Sequence, residues 1–104
     1  MDMKKFNIVI SEDALSMLDR HAEFLAGASR NAAEKMVDQI LNDIDSLSKL
    51  PERCPFYDNP FIPDNRYRRM LSGKRYLVLY EISGDMVFVD YILDGRQENE
   101  ELWE

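Results

Sequence analysis

With 104 residues, 45% of them hydrophobic and 32% charged, the chain has the composition of an ordinary globular protein and room for one domain, residues 1–104, around a modest core. No stretch approaches the roughly 20 apolar residues of a membrane span, and the opening MDMKKFNIVI lacks the apolar run and small-residue cleavage site of a signal peptide, so a cytoplasmic location without membrane contact is expected. One cysteine, Cys54, and one histidine, His21, exclude an internal disulfide and leave a zinc site short of ligands, so no metal or cofactor is expected and both residues are read as packing or surface positions. The net charge of −7 excludes a surface built wholly to lie on phosphate, where affinity comes largely from lysine and arginine.

Phe6, Ile8 and Ile10 alternate with Asn7 and Val9, which predicts a first strand with one apolar face. Ser11 is a good N-cap, and Glu12 and Asp13 follow where the helix dipole favours negative charge. The helix they start carries Ala14, Leu18, Ala22 and Leu25 at spacings of three and four and is predicted to stop at Gly27. A second helix begins after Ser29 or Asn31, the latter with Glu34 resembling a capping box, and extends to about Leu50. Its apolar stripe is Ala33, Met36, Val37, Ile40, Leu41, Ile44 and Leu47. Pro51 ends it by pushing the preceding residue out of the α region. Two amphipathic helices with a short link predict a helical hairpin laid on one face of a sheet, the face towards which Phe6, Ile8 and Ile10 point.

Residues 51–64 hold all four prolines and little periodicity, predicting a long loop that Phe56, Tyr57 and Phe61 pin to the surface. Three strands follow. Arg66 to Leu71 ends in the turn Ser72-Gly73-Lys74, and Tyr76 to Ile82 and Met86 to Leu93 are joined through Ser83-Gly84-Asp85, so an antiparallel three-stranded meander is expected. The fold class is therefore α+β, in the order β-α-α-β-β-β. The tail Glu98 to Glu104, ENEELWE, reads as a last helical turn or a strand-side flap, with Trp103 packing.

Charge is unevenly placed. Arg66, Arg68, Arg69, Lys74 and Arg75 lie within ten residues that contain no acid, whereas the rest of the chain carries 8 basic and 20 acidic side chains, a balance of −12. Basic residues on an edge strand oppose edge-to-edge aggregation, and clustered they also form a binding patch. Both roles are open at this point, and a protein partner fits the acidic remainder better than a nucleic acid.

The element order, together with Ile8-Val9-Ile10-Ser11-Glu12-Asp13-Ala14, Leu47-Ser48-Lys49-Leu50-Pro51, Arg75-Tyr76-Leu77-Val78-Leu79-Tyr80-Glu81-Ile82 and Ile92-Leu93-Asp94-Gly95-Arg96-Gln97, resembles the RelE/ParE family of toxins from bacterial type II toxin–antitoxin systems, also described as plasmid stabilisation proteins. The resemblance covers nearly the whole chain. It implies a growth-inhibiting toxin neutralised by a cognate antitoxin protein, as a toxin–antitoxin hetero-oligomer or a homodimer. ParE-like members poison DNA gyrase, and RelE-like members cleave messenger RNA on the ribosome without a metal.

RNA cleavage needs a base for the ribose 2′-hydroxyl, an acid for the leaving oxygen and cations around the phosphorane. RelE-like ribonucleases resemble one another in an arginine on the third strand, basic residues on the second, and an arginine and a tyrosine near the C-terminus. The matching third-strand position here is Leu77, with Arg75 two residues earlier and, by alternation, on the same face. Arg68 and Arg69 fall near the second-strand positions and Arg96 matches the arginine after the last strand, but Leu102 or Trp103 stands in for the terminal tyrosine. Glu98, Glu100 or Tyr91 would have to move the proton. These departures favour a toxin that works by binding, with Arg66, Arg68, Arg69, Lys74, Arg75 and Arg96 as the contact surface. A ribonuclease clamping phosphate with Arg68, Arg69, Arg75 and Arg96 is the alternative, and an inactive relative serving as an interaction module is a third reading.

Overall fold

A computed structural model describes residues 4–95. The elements are β1 (Asn7–Ile10), α1 (Glu12–Ala26), α2 (Arg30–Asp45), β2 (Arg68–Ser72), β3 (Tyr76–Ser83) and β4 (Met86–Asp94), an α+β arrangement in the expected order. The last three strands form the antiparallel meander, and β1 joins it parallel to β4, giving a mixed sheet ordered β1-β4-β3-β2. The first and last strands are thus neighbours, and the helical hairpin carries the chain from β1 at one edge of the sheet towards β2 at the other.

Helix α1 starts as expected: Ser11 is extended and its hydroxyl accepts the Ala14 amide at 3.0 Å. It ends at Ala26, with Gly27 still right-handed at φ −60°, so this glycine closes the helix without the left-handed turn its residue type suggests. Of the two N-cap choices for α2 the structure uses Ser29, whose hydroxyl accepts the Ala32 amide at 3.1 Å; Asn31 lies inside the helix. The α-helix is also shorter than its stripe predicts. It gives way at Asp45 to a 3₁₀ turn, Ser46–Ser48, and the chain then turns through Leu50 in a left-handed conformation at φ 50° before a second 3₁₀ turn, Pro51–Arg53. Leu47 keeps its place in the core, but Leu41 is partly exposed and Leu50 largely so.

The core lies between the hairpin and one sheet face. Ala14, Leu18, Met36, Ile40, Ile44 and Leu47 from the helical side meet Phe6, Met70, Tyr76, Val78, Tyr80, Val87, Val89 and Ile92 from the strands, with Ile8 and Ile10 packed at its margin. Phe6, Ile8 and Ile10 therefore face inward as their alternation predicts. The opposite face carries a smaller cluster of Tyr57, Tyr67, Leu77, Leu79 and Leu93.

That second cluster explains the proline-rich segment. It is not a free loop: the Tyr57 amide donates to Tyr67 O at 2.7 Å, the Arg69 amide donates to Pro55 O at 2.9 Å, and Phe56 bridges Arg68, so residues 55–57 run beside β2 as a short extra edge. Of the three aromatics expected to anchor the segment, only Tyr57 is buried, and Phe56 and Phe61 stay exposed. Its start is tied to the core instead by Pro51, whose carbonyl accepts the buried Tyr80 hydroxyl at 2.6 Å. β2 begins at Arg68 rather than Arg66 because Asn65, left-handed at φ 59°, turns the chain just before it.

Candidate functional site

The basic stretch does not form one patch. Strand alternation and the β2–β3 register put Met70 and Ser72 opposite Val78 and Tyr76 on the helix side, and Arg69 and Leu71 opposite Leu79 and Leu77 on the other side. Arg66 and Arg68 lie apart from Arg69, around a hollow shared with Glu52, Phe56, Asn65, Glu81 and Ile82. There both are engaged. Arg66 pairs with Glu81 at 3.5 Å and lies over the Tyr67 ring, and Tyr67 first, then Glu81, hold its guanidinium proton more tightly than usual. Arg68 donates to the carbonyls of Glu52 at 3.0 Å and Cys54 at 2.7 Å, and its guanidinium sits 4.1 Å from the Phe56 ring centre. It fastens residues 52–56 to β2.

Arg69, Lys74 and Arg75 do come together. With Pro55, Leu71, Leu77 and Gly95 they line a cleft of about 640 Å³ at the end of the sheet on the face away from the helices. The β2–β3 turn aims them: Gly73 and Lys74 both have positive φ, 60° and 64°, as a primed hairpin turn requires, and this projects Lys74 beyond the strands. Gly95 closes the other side. Its amide donates to Arg75 O at 2.7 Å, and a Cβ there would stand 2.5 Å from that same oxygen, so only glycine allows the end of β4 so near β3.

The three cations of the cleft are not equivalent. Arg69 is exposed, and neither its side chain nor that of Lys74 has a hydrogen bond or ion pair among the described residues. Arg75 lines the cleft with Leu77, as alternation predicts, but its guanidinium bends round the sheet end and is held by Asp94 through Nε–Oδ1 at 3.4 Å and Nη2–Oδ2 at 2.9 Å. That bond raises its proton affinity further. Asp94 itself is buried, so the pair is part of the fold as well as of the cleft wall. Leu71 is 61% exposed at the cleft floor while Leu77 is buried, which makes the surface a mixture of unpaired positive charge and accessible apolar area.

Arg96, Glu98, Glu100, Leu102 and Trp103 lie outside the described residues. Tyr91 is half-buried, edge-on to Tyr67 with ring centres 5.6 Å apart, away from the cleft lining. Sequence reasoning read His21 as a packing or surface position and named no partner for it. It is 71 residues from its partner Ile92, whose carbonyl lies 2.8 Å from Nε2, and its ring is 5.3 Å from that of Tyr76; no local pattern marks a contact across that separation. Among the described residues no group of three or more His, Cys, Asp or Glu side chains is placed to hold a metal, and no helix is long and apolar enough to cross a membrane.

The family model described as the ParE toxin of type II toxin–antitoxin systems, parDE, matches residues 8–99. The chain belongs to the ParE toxin family. Among solved structures, the chromosomal ParDE toxin–antitoxin system from P. aeruginosa contains a chain of the same fold, with a TM-score of 0.74 at 13% identity over 88% of this chain and 97% of that one. No curated protein matches the sequence. The matched span takes in both helices, β2 to β4 and all of β1 but its first residue in this ParE-family chain, and with them the whole described lining of the cleft.

Proposed function

We propose that this chain, as a single domain over residues 1–104, is a cytoplasmic toxin that arrests growth by binding a protein target of the gyrase class, and that a cognate antitoxin protein neutralises it. The observation that carries this reading is the lining of the cleft. Among the described residues its side chains are cationic or apolar, Arg69, Lys74, Arg75, Leu71, Leu77 and Pro55, and none of these is a carboxylate, imidazole or phenol suited to exchanging a proton with a ribose hydroxyl or a leaving oxygen. Unpaired cations beside exposed apolar area instead suit a contact surface for an acidic partner. Arg69, Lys74 and Leu71 are its centre, with Arg96 following directly on the Gly95 wall in sequence. Arg66 and Arg68 flank it from the other end of the 55–57 edge.

Inducible expression in a bacterial host tests the reading, with growth followed beside plasmid supercoiling and the integrity of ribosome-bound messenger RNA. Growth arrest with altered supercoiling and intact messages is expected, and co-expression of the antitoxin encoded next to it should restore growth. Arrest with cleaved messages would replace the reading by a ribonuclease one. Unchanged growth with soluble, folded protein would leave an interaction module.

A further inference from the structure

On the helix side of the same sheet end lies a second hollow, of about 250 Å³, lined by Arg20, His21 and Phe24 of α1, Arg75 and Tyr76 at the start of β3, and Asp94 at the end of β4. It faces away from the cleft described above and does not depend on the function proposed for it. Arg20 and Phe24 are four residues apart on α1 and so lie on one face. Phe24 is the most exposed large hydrophobic residue among those described, at 74%. A ring so exposed, on a helix whose inward positions are already filled by Ala14 and Leu18, contributes nothing to the core.

The hollow is also cationic. The Arg20 side chain has no hydrogen bond or ion pair among the described residues. Asp94, the one acid in the lining, is held by Arg75, which uses Nε and Nη2 for it and has no hydrogen bond from Nη1 among the described residues. His21 is oriented from behind. A carbonyl only accepts, so Nε2 carries the proton it gives to Ile92 O, and Nδ1 is then the acceptor of the neutral ring. The Tyr76 ring, tilted at 43° against that of His21 and with Arg75 Cζ 5.1 Å from its centre, touches both groups and helps keep them in place.

We propose that this hollow binds a nucleoside monophosphate unit, the phosphate between Arg20 and Arg75 and the base laid on the exposed face of Phe24. A phosphate takes paired, charge-assisted hydrogen bonds from guanidinium groups, and an aromatic ring on an open helix face offers stacking that any base can use. The volume is somewhat below that of the usual small-molecule pocket, so it takes the phosphate and sugar and leaves the base over Phe24. Two sources share this chemistry, a free nucleotide and the phosphorylated end of a strand.

The test is an NMR titration of the full chain, labelled by cell-free synthesis, with 5′-AMP, 5′-UMP, adenosine and inorganic phosphate. Saturable shifts at the amides of Arg20, His21, Phe24 and Tyr76 are expected with both nucleotides, and weaker binding with adenosine or phosphate alone. Arg20→Ala and Phe24→Ala, both at exposed positions that the fold does not use, should each weaken 5′-AMP at least about fivefold. A 5′-phosphorylated trinucleotide that binds more tightly than 5′-AMP would identify the strand end as the source, and the reverse order the free nucleotide. Absence of saturable shifts up to about 10 mM ligand, a range that still detects millimolar affinity, would overturn the proposal. Equal affinity in the two variants, or shifts confined to Arg69, Leu71 and Lys74, would overturn it too.

Discussion

The two faces of the sheet are made from the same strands and end in opposite states. On the helix face, Val78, Tyr80, Val87, Val89 and Ile92 are sealed beneath Ile40, Ile44 and Leu47. On the other face Leu79 is as deeply buried at the centre, but the cover is a short proline-rich segment with one buried aromatic, Tyr57, and it stops before the β2–β3 turn. Leu71 and Arg69 are left open there. One face is closed by two helices with long apolar stripes, whereas the other has only about a dozen residues to cover it. The incomplete cover creates the cleft, so the binding surface is where the fold ran short of covering structure.

The largest test of that contrast is a pair of truncations. Ile44→Ala, in the sealed face, should cost about 2–5 kcal/mol of unfolding free energy, while Leu71→Ala should stay within about 0.5 kcal/mol and still weaken target binding. Urea unfolding of both variants measures it, and a Leu71→Ala loss comparable to that of Ile44→Ala would show that the open face is structural after all. Next comes the pair at the sheet end. Arg75→Ala removes a charge-assisted hydrogen bond to the buried Asp94 and should cost about 1–3 kcal/mol, whereas Arg69→Ala, which breaks no side-chain bond among the described residues, should leave stability unchanged and reduce activity. Equal stability losses for the two arginines would collapse the distinction between wall and contact.

Tyr80→Phe strips the partner from the buried Pro51 carbonyl and should cost about 1–2 kcal/mol, loosening the start of the covering segment. Hydrogen exchange would show this as lost protection at the Tyr57 and Arg69 amides. The smallest effect is a pH dependence. Burial first, then a neighbouring group (Asp90 for Tyr67, Cys54 for Tyr80), raises both phenols above the ordinary tyrosine value. The folded chain therefore holds these protons more tightly than the unfolded one. Their contribution is fully present below the unfolded value of about 10 and is lost as pH rises beyond it. Alkaline unfolding should begin near that pH, and Tyr67→Phe should flatten its onset.

Much of the fold is written locally. The cap at Ser11, the stripe from Ala33 to Leu47 and the glycine turn between β3 and β4 each state their element within a few residues, because capping, helical period and positive φ are local properties. The errors sit where local signals compete with tertiary ones. Two hydroxyl or amide caps were available for α2, and only the packing of α1 against α2 selects Ser29. The stripe runs past Asp45, but the chain must turn there to bring Pro51 under Tyr80. The five cations of residues 66–75 read as one patch because a sequence does not display which residue of a strand faces which side of a sheet.

The sequence by itself determined the element order, the two amphipathic helices, the hairpin turns and the excess of positive charge before β3, since all of these follow from residue type and spacing. Only the tertiary structure decided that β1 lies parallel to β4, that Arg66 and Arg68 fasten a loop while Arg69 and Lys74 stand free, and that His21 and Phe24 meet Arg75 and Asp94 across more than fifty residues. Those outcomes depend on which faces are left to be covered once the helices have packed, and contacts of that kind have no signature in the order of residues along the chain.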